Sequence, residues 1–123
     1  DKERAKSILK MIYLIEERIK KQDRIKMASL IISDYYEIIK ELITAILLID
    51  GYKTLSHKDL FDYLEEKYKK LSGHELSVLN NLRILRNRVS YEGYFIDPYY
   101  LEKNELLFKE IIKKLKDLMS KKI

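Results

Sequence analysis

Two arginines, an asparagine, a serine and a tyrosine crowd into nine positions: Arg83, Arg86, Asn87, Ser90 and Tyr91, with Tyr94 just beyond. A guanidinium offers a planar pair of N–H donors that matches phosphate oxygens, and the amide and hydroxyls add neutral donors. The chemistry that suits this set is the binding of a phosphate, on a nucleotide or along an RNA chain. At 100° per residue Val78, Leu82, Leu85 and Val89 form one apolar stripe of a helix, and the polar set is expected on the opposite, outward side. Solvated arginine and asparagine are the competing expectation, and Tyr91 and Tyr94 could equally pack their rings and leave their hydroxyls wet.

Other residues with chemical potential carry weaker patterns. His57 and His74 each stand beside a serine at a helix start, with no carboxylate or second histidine at ligand spacing, and are expected to be exposed loop residues. Glu16-Glu17, Glu65-Glu66 and Asp59 with Asp62 are flanked by lysines and read as solvated, salt-bridged pairs. No serine lies in a nucleophile-elbow pattern and no glycine-rich loop offers a triphosphate site. Neither a cofactor nor a metal is expected. The lysines from Lys109 to Lys122 read as the polar side of a last helix.

The elements that must position these residues are legible from periodicity and punctuation. Ile8, Met11, Ile12, Ile15 and Ile19 predict a first helix over about 2–21, and the charged link 22–26 separates it from a longer, more apolar second helix that Asp50-Gly51 stops. Ser56 with Asp59 predicts a capping box and a third helix to about Leu71. Ser72 with Glu75 predicts a second box before a fourth helix, about 74–91, that carries the polar set. Glu92-Gly93 breaks the chain, and Asp97-Pro98 supplies an N-cap and an N1 proline for a fifth helix to about Lys121. Short connections predict neighbours that pack mostly antiparallel.

Composition agrees with an all-α reading. Three glycines and one proline in 123 residues leave few turns. Hydrophobic residues at 46% and charged residues at 37% exclude both a disordered and a membrane-embedded chain. The longest apolar run, Leu42 to Ile49, is far short of the roughly 20 residues that span a bilayer, and no charged-then-apolar leader opens the chain. The absence of cysteine excludes disulfides and thiolate chemistry and makes the cytoplasm the expected compartment. A net charge of +5 would attract polyanions only modestly. The Lys, Glu and Ile content resembles that of proteins from hot environments. Asp1 at the start leaves open whether residues precede it.

The segment Arg86-Asn87-Arg88-Val89-Ser90-Tyr91 resembles the motif of HEPN domains, in which an arginine, usually followed by asparagine, precedes a histidine by four to six residues. Asp34-Tyr35-Tyr36 resembles the aromatic-rich second helix of HEPN proteins associated with minimal nucleotidyltransferases. Tyr91 stands where that family has its histidine. The resemblance implies a HEPN-like up-and-down bundle of four or five helices over residues 1–123, a homodimer whose fourth helices share a cleft, and RNA or a nucleotide as ligand. It also implies a nucleotidyltransferase partner in a toxin-antitoxin-like pair.

In active members histidine moves the proton of the ribose 2′-hydroxyl and arginine stabilises charge on the phosphate. Tyrosine, with an ordinary pKa of about 10, suits the base role badly, since on the order of one in a thousand side chains is phenolate at neutral pH. With Arg86 and Tyr91 as the degenerate catalytic pair, ribonuclease activity is expected to be weak or absent. The alternatives are an active metal-independent endoribonuclease toxin and a structural dimerisation bundle without ligand. A partner-modified tyrosine in the family lies two places past the histidine; that place is Gly93 here, with Tyr94 one residue later. Leu42, Ile46, Leu82, Leu85, Val89, Leu107, Ile111 and Leu115 are expected in the core.

Overall fold

The most apolar segment of the sequence becomes the centre of the molecule. In a computed structural model, which describes residues 2–52 and 57–123, helix α2 (Ala28–Ile49) buries thirteen of its 22 residues, more than one face of an amphipathic helix can supply. The remaining helices, α1 (Lys2–Lys21), α3 (His57–Tyr68), α4 (Gly73–Glu92) and α5 (Pro98–Ser120), all pack against α2. The fold is thus an all-α bundle built around a hub. Sequence neighbours α3 and α4, or α4 and α5, meet less closely than each meets α2.

Cross-helix pairs fix the directions. Arg18 near the end of α1 meets Asp34 near the start of α2, and Arg86 late in α4 meets Glu37 early in α2, so both helices run antiparallel to the hub. Tyr35 bonds Glu105 early in α5, while Asp50 bonds Lys122 just past its end, so α5 runs parallel to α2.

The helix ends follow from the punctuation. Gly51 (φ 91°) follows the end of α2, and Gly93 (φ 64°) caps α4 in the left-handed conformation, which glycine adopts without steric cost. Ser72 and Glu75 form the expected capping box: the Glu75 N–H donates to Ser72 Oγ at 3.1 Å and the Ser72 N–H to Glu75 Oε1 at 2.8 Å. Asp97 caps α5 by accepting the Tyr99 N–H at 2.9 Å, with Pro98 at N1. Helix α3 stops three residues earlier than expected, before Lys69 at φ 47°. Ser56, of the other expected box, lies outside the described residues.

Five of the expected core residues, Leu42, Ile46, Leu82, Ile111 and Leu115, are fully buried, while Leu85, Val89 and Leu107 pack partly buried against that core. At the far end of α2, Asp50 accepts hydrogen bonds from Tyr63 Oη at 2.7 Å, from Tyr68 Oη, and from Lys122 Nζ at 2.7 Å. One carboxylate therefore ties α3 and the end of α5 to the hub. Lysines expected to be solvated act as further ties, with Lys114 bonded to the buried Glu75 and Lys116 to Glu16, each at 2.8 Å.

Candidate functional site

The face of α4 that the sequence singles out is turned differently from the expectation. Leu79 and the buried Glu75 belong to the inward stripe together with Val78 and Leu82. Adding them moves the centre of the stripe towards Arg86, which follows Leu79 by seven residues and Leu82 by four. Arg86 consequently lies along the α2 side rather than opposite it: its side chain is 26% exposed and a terminal nitrogen stands 3.8 Å from Glu37 Oε2. This corrects the outward placement of Arg86.

Arg83 is half-buried too, one turn earlier, and one of its terminal nitrogens donates to Asn80 Oδ1 at 2.9 Å. The nearby positive charges of Arg83 and Arg86 lower the Tyr36 hydroxyl, but burial outweighs them and pushes it up to about 12. Asn87 is half-buried and Ser90 exposed. Tyr91 is 81% exposed, and among the described residues no hydrogen bond or ring contact orients its hydroxyl.

The end of α4 carries a second feature that the sequence reading touched only through Tyr91 and Tyr94. In the short connection after Gly93, Ile96 is buried, while Phe95 has 84% of its surface exposed. The Ile96 N–H donates to Ser29 Oγ at 2.7 Å, pinning this turn to the start of α2. Tyr91, Phe95 and Tyr99 are all exposed at or near this turn, and Tyr94 stacks under Arg88, whose guanidinium carbon is 3.8 Å from the ring centre. The signal for these exposed rings was available as four aromatics within nine residues around a helix stop.

Residues Asp34, Tyr35 and Tyr36, matched to the resemblance, serve packing. Asp34 accepts two bonds from Arg18, at 2.7 and 3.0 Å, Tyr35 Oη donates to Glu105 at 2.6 Å, and Tyr36 is fully buried edge-on to Phe61. His74 is exposed in the first turn of α4, and His57 opens α3, so neither is a loop residue. Among the described residues no group of three His, Asp or Glu could hold a metal ion. No described helix is long and apolar enough to cross a membrane.

Two concavities flank the hub. Between α1 and α5 lies a groove of about 410 Å³ with Ile19, Tyr35 and Ile112 in its lining. Ion pairs of Lys116 with Glu16 and of Arg24 with Glu105 cross it and satisfy much of its charge. Between α3 and α4 lies a pocket of about 480 Å³ lined by Phe61, Asp62, Glu65, Leu76, Asn80 and Arg83. One polar atom in each of two lining residues, Glu65 Oε2 and Arg83 Nε, is buried without a hydrogen-bond partner. Glu65 therefore departs from its expected place in a solvated, salt-bridged pair.

No protein-family model, curated protein or solved structure matches this chain.

Proposed function

We propose that this protein is a HEPN-like module that binds RNA or a nucleotide through the C-terminal half of α4, working as a homodimer with little or no ribonuclease activity. The observation that carries the reading is the conjunction on that half-helix. Two half-buried guanidinium groups, Arg83 and Arg86, are only loosely neutralised, and the same helix ends beside the exposed rings of Tyr91 and Phe95, with Tyr99 exposed at the start of α5. Arginines that take phosphate oxygens beside aromatic faces that take bases are the two components of single-strand binding.

Arg86 is restrained without being consumed. Its 3.8 Å separation from Glu37 is too long for a hydrogen bond, and Glu37 already accepts from Lys40 at 2.8 Å, so an arriving phosphate competes with a weak contact. Tyr91 lacks the oriented neighbour a general base needs, which favours binding over cleavage. The exposed aromatic rings also supply apolar surface for a second copy, and a nucleotidyltransferase partner is part of the proposal on the resemblance alone.

The test is fluorescence anisotropy with a labelled single-stranded RNA, run beside a cleavage assay. Wild type binds, and Arg83→Glu with Arg86→Glu weakens binding at least about tenfold while the melting temperature stays near wild type. Equal binding by the variant removes this face as the site. Products with 2′,3′-cyclic phosphate ends that disappear in Tyr91→Phe would replace binding with catalysis.

A further inference from the structure

We infer that the groove between α1 and α5 is a binding site for a small phosphate monoester, separate from the α4 face and independent of the RNA-binding reading. Ion pairs stand near the two ends of the lined stretch, Lys116 with Glu16 and Arg24 with Glu105. Both carboxylates are fully engaged. Glu16 accepts Lys116 Nζ at 2.8 Å on each oxygen, while Glu105 accepts Arg24 on one oxygen and the Tyr35 hydroxyl, at 2.6 Å, on the other. Neither has an oxygen to spare for another cation of the groove.

The remaining cations lie between these pairs. Lys109 and Lys113 line the groove from α5, are exposed, and make no ion pair or hydrogen bond through their side chains among the described residues. Four residues apart on one helix, they are about 6 Å apart along its axis, so both ammonium groups can reach one phosphate. Lys20, on the α1 wall, meets only Glu17, in an exposed contact at 3.3 Å that contributes little. Arg24 gives one terminal nitrogen to Glu105, and no hydrogen bond engages its other one among the described residues. Against these donors Asp117 is the one lining acid outside the two pairs, so positive charge is in excess. Lysine as a compact charge and arginine as a fork are the side chains that suit phosphate oxygens. Ile19, Tyr35 and Ile112 are nearly buried, so a ligand meets little apolar surface and charge does most of the selecting. The volume of about 410 Å³ falls in the range of small-molecule sites and leaves room beside the phosphate for the alcohol portion of an ester.

The test is an NMR titration of the intact protein with a hexose 6-phosphate and a nucleoside 5′-monophosphate, with inorganic phosphate and succinate as references. It is repeated on the double variant Lys109→Gln with Lys113→Gln, whose fold is checked by thermal melting. At least one ester is expected to bind more tightly than both references and to shift amides of 16–24 and 105–117; the tighter ester identifies the alcohol portion. The double variant should lose affinity for it at least about tenfold, since two charge-assisted hydrogen bonds go. Inorganic phosphate or succinate binding as tightly as both esters, shifts confined to other helices, or unchanged affinity in the variant overturns the site. Any of these results leaves RNA binding by α4 to its own test.

Discussion

Two regions around α2 treat charge in opposite ways. At its C-terminal end Asp50 is nearly buried, and it collects Tyr63, Tyr68 and Lys122 into a network in which each donor has its acceptor. Along the α4 side Arg86 hangs 3.8 Å from its carboxylate, and Arg83 Nε and Glu65 Oε2 are buried without partners. Completed hydrogen bonds in the first region hold three segments of chain together. The incomplete ones in the second contribute little to holding the fold, and Arg86, held only by its long contact to Glu37, keeps donors free for a ligand.

That contrast is broken most severely at Asp50. Asp50→Ala strands two tyrosine hydroxyls and an ammonium group at once, and should lower the unfolding free energy by about 3 kcal/mol in urea titrations. A loss under 1 kcal/mol would show that the network is ornamental. Acid acts on the same group. Burial pushes the Asp50 carboxyl up, but hydrogen bonds from Lys122, Tyr68 and Tyr63 outweigh it and hold the group below its ordinary value of 3.8. Glu75, with Lys114 and the Ser72 cap, and Glu105, with Arg24 and Tyr35, are likewise held low against the opposing effect of burial.

Because these folded-state values lie below the unfolded ones, their stabilisation is complete above the unfolded values, near pH 4 to 4.5. It is lost as pH falls through the folded values. Urea midpoints should be flat from pH 7 to about 5 and then decline, and Asp50→Asn should decline less steeply than wild type. The second region responds more mildly. Glu65→Gln should hold stability or change it by less than about 1 kcal/mol, since the buried Oε2 has no hydrogen bond to lose. A clear loss of stability would mean that Glu65 is a structural partner.

The unequal legibility of the two regions has a physical basis. Helix limits such as Ser72 with Glu75, Gly93, and Asp97 with Pro98 are local decisions between residues three or four apart, and the structure places them where the spacing predicts. The hub role of α2 was visible as an unusually broad apolar face. The direction of Arg86 was misread because the α4 stripe was centred on Val78, Leu82, Leu85 and Val89, leaving out Leu79 and the buried Glu75. A glutamate in an inward stripe is hard to foresee, since it depends on Lys114 arriving from α5. Glu65 was illegible for the same reason: its burial is created by α4, which no spacing within α3 encodes.

Salt dependence of RNA binding tests the role of the α4 arginines most directly. Each phosphate contact made on a single strand contributes about 0.7 to the slope of log affinity against log salt. Wild type and Arg86→Gln, compared by anisotropy on one single-stranded RNA across a salt series, should differ in slope by about that amount, with the variant shallower. Identical slopes would mean that the Arg86 guanidinium meets no phosphate.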